Sequence, residues 1–471
     1  MPSNLRHSLT KTGAWLRSRR PEIAIFLLGA LLRVSMSWTY PRAWAFDYSS
    51  HWEVVQWILD HRQIPQVEDL RESFHPPLFY VTVANLLRLG VTEQQLIVMP
   101  IACGIVRLAL IWLGLELFLP HSRVARLSAL ALAAVIAASV HVDGMVHPEA
   151  LNGLWTTSAM LLAANAFRAT GKARFGWACA AGVLLGIGML TKISASIVVA
   201  SIGVAAVAEF LLQKAELRAR LFALLPWAAM LSLCVAICGW YFARNVRGYH
   251  KVFLTSFDLR FESSLVAESN KTPYLYRRAL GFFVGWDPAI FRFPYFPTDI
   301  RPNSQFFPVA VASTFVDYWN YTFSGLSRDK PTQMSALFFP LSPSILRVSQ
   351  IAVAGGTVIA AAVAAAWFGT IGRVFRRRDF ASFFLLLVPF FTVLSAMHFA
   401  VANPVDHYGV VKGIYMQFGA PPMYALFGLA VAWAAKKSDR WPLFALLVAA
   451  IWLVGSYTVY CRFRVPLVPL G

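Results

Sequence analysis

Residues 76–89 read PPLFYVTVANLLRL, and the direction of every later helix depends on whether this stretch crosses a membrane. Its 14 residues fall short of the roughly 17–25 apolar residues that cross hydrocarbon. It is therefore read as a re-entrant or interfacial segment. The chain around it is 58% hydrophobic, 14% aromatic and 14% charged over 471 residues, too few polar residues to cover a soluble surface. Long apolar runs recur, so the fold class is an all-α polytopic membrane protein. The net charge of +19 is assigned to cytoplasmic loops rather than to a nucleic-acid partner.

Residues 1–21 carry five cations and no acid, which places the N-terminus inside; no cleavable signal pattern is read there. The first span is 22–39. If 76–89 does not cross, 93–119 runs inward and 124–142 outward. The spans 150–167, 174–190, 193–212 and 221–243 follow, then 346–372, 380–401, 413–435 and 441–460. That makes about 11 spans in one domain, 1–471, with a first outer loop at 40–92 and a long outer loop at 244–345. The basic segments at 120–126, 168–174, 213–220 and 372–379 then share the inner side. The long loop, rich in aromatics and prolines, is expected to form interfacial helices and turns on the outer face. The five cysteines lie in or beside apolar runs and read as core residues.

The unusual polar groups converge on the outer side. Upstream of 76–89 lies AFDYSSHWEVVQWILDHRQIPQVEDLRESFHPP, residues 45–77. Asp47 is placed to take a proton from an acceptor hydroxyl, against the plainer reading of a helix start. His51, four residues on, shares its helical face and would orient Asp47 or share its proton. His75 is a substrate contact held by Pro76 and Pro77. Asp143 and Glu149 would bind substrate hydroxyls or pair with a cation, and the competing reading is a solvated loop. Lys192, Arg244 and Lys412 stand where a lipid phosphate would lie, with snorkelling to the interface as the rival. Tyr241, Asn245 and His407 complete the substrate-binding set, with Asp406 beside it. No HExxH or CxxC spacing appears, so no metal ligand is assigned. If a divalent metal is used, Asp47, His51 and His75, or Asp143 and His147, are the groups placed to hold it.

FDYSSHW, HPPLFY, HPE, LTKIS, WYFARN and VKGIYMQFGAPPMYALFGL, in this order, resemble the integral-membrane GT-C glycosyltransferases. The branch they resemble contains the protein O-mannosyltransferases and the aminoarabinose transferase of lipid A. Asp47 is followed by Tyr48 where many relatives carry Asp-Glu, and Lys412-Gly413-Ile414-Tyr415 stands where relatives often have Lys-x-Arg-Tyr. The resemblance implies a polyprenyl-phosphate sugar donor and transfer on the outer face, with Asp47 as the catalytic acid residue of the first loop. His75, Lys192, Arg244 and Lys412 would face the site. The expected reaction is transfer of a hexose or pentose to a glycan, lipid or protein acceptor at a bacterial inner membrane. The rival readings are a transporter or flippase of a lipid-linked solute, and a lipid-glycan polymerase or ligase.

Overall fold

The computed structural model describes residues 18–39, 48–255, 279–292, 294, 305–316, 343–402 and 411–464. Among these there is no strand. The helices of the first half are α1 (Arg20–Thr39), α2 (Tyr48–His61), α3 (Leu78–Arg88), α4 (Val98–Phe118), α5 (Arg123–Val135), α6 (Ala137–Val142) and α7 (Pro148–Arg168). Then come α8 (Gly171–Thr191), α9 (Ser196–Leu212), α10 (Leu217–Tyr249), α11 (Leu280–Val284) and α12 (Phe306–Phe315). The last are α13 (Pro343–Arg377), α14 (Phe380–Ala402), α15 (Pro421–Ala435) and α16 (Trp441–Arg464). The short segment at 76–89 is α3, 11 residues, or about 16 Å at 1.5 Å per residue, roughly half a hydrocarbon thickness.

Among the described residues, seven helices are long and apolar enough to cross a membrane, or eight if the bent pair Gly413–Gly419 and Pro421–Ala435 counts as one span. Of the eleven expected spans, 22–39 and 150–167 do form helices, α1 and α7. Their apolar character is diluted by polar residues that face protein: Glu22, Arg33 and Ser35 in α1, and Glu149, Asn152, Thr156 and Thr157 in α7, all buried. Two expected spans are not straight. The segment 124–142 breaks at Ile136, whose extended backbone separates α5 from α6. The segment 413–435 bends by 84°, where Pro421 and Pro422 open α15 and cannot continue the preceding turn's hydrogen bonds.

The long loop expected at 244–345 starts later, because α10 continues to Tyr249 and stops at His250 in the left-handed conformation, φ 54°. Its helix α12 is not interfacial. Phe306, Val309, Val311, Ala312 and Phe315 are buried, and α12 packs on α13 and on the turn at 413–419. Its two hydroxyl residues, Ser313 and Thr314, bond back to carbonyls of their own helix, so it has no charged face to give to water.

Two large cores hold most of the bundle. One joins α1, α4, α5, α15 and α16; the other joins α7, α8, α9, α10 and α14. Close approach is set by small residues, as membrane helices require where lipid competes equally for apolar surface. Gly182 and Gly186 on α8 face the backbone of α10, where an added Cβ would strike the Met230 carbonyl at one and lie 2.8 Å from the Ile237 Cβ at the other. Gly428 on α15 sits against the Ala125 carbonyl of α5 in the same way. Leu221, Leu225, Leu231 and Val235 on α10 are exposed, a lipid-facing side.

The break at Ile136 frees the last carbonyls of α5, and a charge from α1 takes them. Arg33 donates to the Ala134 carbonyl at 3.2 Å and the Ala133 carbonyl at 3.4 Å, and its Nε pairs with Asp143 at 2.7 Å. Arg107 of α4 reaches the same carboxylate oxygen at 3.0 Å. Asp143 is fully buried. Instead of standing in a solvated outer loop, it ties α1 and α4 to the broken α5–α6 element.

Candidate active site

The helix α7 starts with His147-Pro148-Glu149. His147 is the cap, its Nδ1 accepting from the Glu149 amide at 3.3 Å; proline fills the first helical position and an acid the first turn, a favourable helix start. That hydrogen bond leaves Nδ1 bare. Burial above all, with the positive charge of Lys192 adding to it, pushes His147 well below the ordinary histidine range. Neutral His147 therefore carries its proton on Nε2, which donates to His51 Nε2 at 3.1 Å. His51 in turn keeps its proton on Nδ1 and donates to the Tyr80 hydroxyl at 2.7 Å. A chain of fixed tautomers thus links α7, α2 and α3.

His75 closes the same cluster. Its ring lies 5.6 Å from that of His51, and its Nε2 pairs with Glu72 at 3.0 Å. Burial pushes the Glu72 carboxyl up, but the hydrogen bond and charge of His75 outweigh it and hold the group down at about 2. Tyr241 of α10 donates its hydroxyl to the Phe74 carbonyl beside His75. Arg244 lies over the Tyr241 ring at 4.8 Å, and Asn245 donates to the Val252 carbonyl at 3.3 Å.

A second group adjoins the first. Lys192, in the turn between α8 and α9, pairs with Glu149 and lies 4.8 Å from the Tyr415 ring centroid. Lys412 approaches the same tyrosine, 3.3 Å from its hydroxyl and 5.1 Å from its ring. The 84° bend is what brings Tyr415 and Lys412 here. Gly413 donates its amide to Ser313 Oγ at 2.9 Å, which pins the bend to α12. Both lysines act on His147 electrostatically, so the histidine and lysine groups form one polar site.

The structure thus gathers His51, His75, Glu149, Lys192, Lys412, Tyr241, Arg244 and Asn245 at one end of the bundle. Asp143 is held apart by two arginines. Asp47, Asp406 and His407 lie outside the described residues. Glu72, Tyr80 and Tyr415 join the site without having been singled out from sequence. Tyr80 and Tyr415 stand inside the quoted motifs HPPLFY and VKGIYMQFG, and Glu72 is three residues before His75, so their spacing was visible. Arg33 and Arg107 were signalled by lying inside apolar runs.

The sequence profile of the dolichyl-phosphate-mannose-protein mannosyltransferase family matches residues 74–242, a segment that contains His75, Asp143, Glu149, Lys192 and Tyr241. No curated protein matches in sequence. In fold the chain is similar to the oligosaccharyltransferase AglB from Archaeoglobus fulgidus, with TM-score 0.51 and 14% identity over 95% of this chain and 56% of that one. A second structure of the Archaeoglobus fulgidus oligosaccharyltransferase, tethered to an acceptor peptide, gives TM-score 0.51 and 13% identity, covering 94% and 56%. ArnT from Cupriavidus metallidurans overlaps 93% of this chain and 77% of its own, with TM-score 0.36 and 14% identity. The chain has the GT-C fold, and it spans little more than half the length of the oligosaccharyltransferase it matches.

Proposed function

We propose that this chain is a glycosyltransferase that moves a sugar from a polyprenyl-phosphate donor to an acceptor hydroxyl. The reaction takes place on the outer, periplasmic face of a bacterial inner membrane, in modification of a cell-envelope glycan or glycolipid. The observation that carries this reading is the pair Lys192 and Lys412, both close to the Tyr415 ring, with Glu149 on Lys192. Cations gathered at the end of a membrane bundle are suited to bind an anion, and a lipid phosphate at headgroup level supplies one. AglB was solved with a dolichol-phosphate bound, which fits a lipid phosphate at this fold's site.

In the reaction the acceptor oxygen attacks the anomeric carbon, the carbon–phosphate oxygen bond breaks, and the acceptor proton passes to Asp47. Charge grows on the leaving phosphate, where Lys192 and Lys412 stabilise it and Arg244 assists. Glu149 restrains Lys192 until the donor's stronger negative charge draws the ammonium away. We assign His75, Tyr241, Asn245 and His407 to binding of sugar and acceptor, and His51 to orienting Asp47. Attack opposite the phosphate inverts the anomeric centre.

The test is release of free polyprenyl phosphate by protein reconstituted in lipid, given a panel of labelled polyprenyl-phosphate sugars and membrane-derived acceptors. One donor should turn over. Asp47→Asn should bind it without turnover, and Lys192→Met should lose turnover by about 10²-fold, as removal of one charge-stabilising donor does. Transport of a lipid-linked solute with no donor consumed would sink the reading.

A further inference from the structure

His51, Glu72 and His75 each offer one ligand atom, and these atoms all lie within 4.8 Å of one another. This is the only such group of three among the described residues. His51 and Glu72 are buried, and the His75 side chain is 20% exposed. We infer that these three residues bind a divalent transition metal, with zinc the ion they fit best.

The donor set selects the ion. Two imidazoles and one carboxylate suit zinc and its first-row neighbours, whereas magnesium and calcium take oxygen ligands. Two histidines with one glutamate leave a fourth tetrahedral position for water or an anion. Ligands at about 2.0–2.1 Å on a tetrahedral ion stand roughly 3.3 Å apart. The Glu72–His75 pair is already at 3.0 Å, and the partly exposed His75 has room to close the remaining gap.

The surroundings are those of a metal-binding histidine. The Tyr80 hydroxyl accepts a hydrogen bond from His51 Nδ1–H, which fixes the ring and leaves Nε2 as the basic nitrogen. That nitrogen accepts from His147 in the structure; the ion takes the place of this N–H. The one ion pair of Glu72 among the described residues is with His75, so the carboxylate and the two imidazoles already face one another, as ligands of a shared ion do. Filled, the site fastens α2 to the run of turns before α3, the segment to which Tyr241 also bonds.

The inference goes beyond the transferase reading, because metal content is measured with neither donor nor acceptor. Tag-free protein purified without chelator should contain about one zinc per chain by elemental analysis. After chelator stripping, Co²⁺ alone should restore one ion per chain and give the visible d–d bands of tetrahedral nitrogen–oxygen ligation. Glu72→Gln and His75→Asn should each lose the stoichiometric ion while keeping the wild-type gel-filtration profile. If buried Glu72→Gln fails to fold, the more exposed His75→Asn decides. Tyr80→Phe should weaken Co²⁺ binding about tenfold, the effect of losing a group that orients a ligand. Wild-type protein that binds neither zinc nor Co²⁺ overturns the inference, and so does a stoichiometric ion that survives His75→Asn. Loss of the ion in the variants with no donor turnover in any protein leaves the metal site standing and removes only the transferase reading.

Discussion

At the scale of single residues, Asp143 decides whether two buried guanidinium groups are tolerated. Arg33 and Arg107 both reach its Oδ2, and Ser139 takes hydrogen bonds from both. Asp143→Asn keeps the shape but removes the only carboxylate that pairs with them among the described residues. Breaking a buried pair from one side typically costs about 3–5 kcal/mol, because the remaining charge is uncompensated. Asp143→Asn should therefore lower the thermal midpoint of detergent-solubilised protein markedly, and what remains folded should bind donor as the wild type does. Unchanged stability with lost donor binding would return Asp143 to the substrate-binding set. Asp143 was singled out from sequence, but Arg33 and Arg107 were not, although each is a charge inside an apolar run. Asp143 lies 110 residues from Arg33 and 36 from Arg107, and nothing local in the chain announces contacts at that range. Lys192 was easier, since a lone lysine between two apolar helices has few places to go. The acid that meets it, Glu149, was itself singled out, but the pairing of the two was settled only by packing.

At the scale of elements, α8 and α10 lie close because glycines recur at four-residue spacing on α8. Gly182 and Gly186 present no side chain to α10, whose Met230 and Cys234 carbonyls and Ile237 side chain fill the space. Gly186→Val would push branched carbons into Ile237 and the Cys234 carbonyl, with an overpacking cost of about 1–3 kcal/mol. It should lower the thermal midpoint, whereas Gly176→Val, at a position with nothing within 4 Å, should leave it unchanged. Equal effects at both sites would show that glycine's packing role is not what matters there. Most helices were legible because an apolar run of membrane length has few alternatives: the expected 380–401 is observed as Phe380–Ala402. The two misjudged spans share a cause. Apolarity persists through Ile136 and through Ala420, so a composition-based reading sees no boundary where the backbone turns. The prolines at 421 and 422 were the available signal for the second; for the first, Ile136 carries none.

At the scale of the whole molecule, the charges sort to two ends. Arg19 pairs with Glu116 and Arg123 with Glu22. Arg168 donates to the Leu117 carbonyl and feels Asp379, while Arg174 pairs with Glu209 and reaches the Ala223 carbonyl. These contacts join residues 18–22, 116–123, 168–174, 209–223 and 379 at one end, the end where the basic segments were expected to gather. The polar site with His51, His75, Glu149 and Lys192 occupies the other. Cations near span ends are retained on the cytoplasmic side, so the interlocked basic end should face the cytoplasm and the site should face out. In a chain freed of its own cysteines, a single cysteine at Lys214 or at Gln63, both exposed, reports the two ends separately. A membrane-impermeant thiol reagent on intact cells should label Gln63→Cys and spare Lys214→Cys until the membrane is opened. The reverse pattern would turn the molecule over and place the lysines on the wrong side for an outer-face transfer. Labelling of both in intact cells would mean that α3 or another short helix crosses, so that the two ends no longer lie on opposite sides. Because α3 is 11 residues long and packs against α2, it lacks the length to do so, and the sided pattern is the expected result.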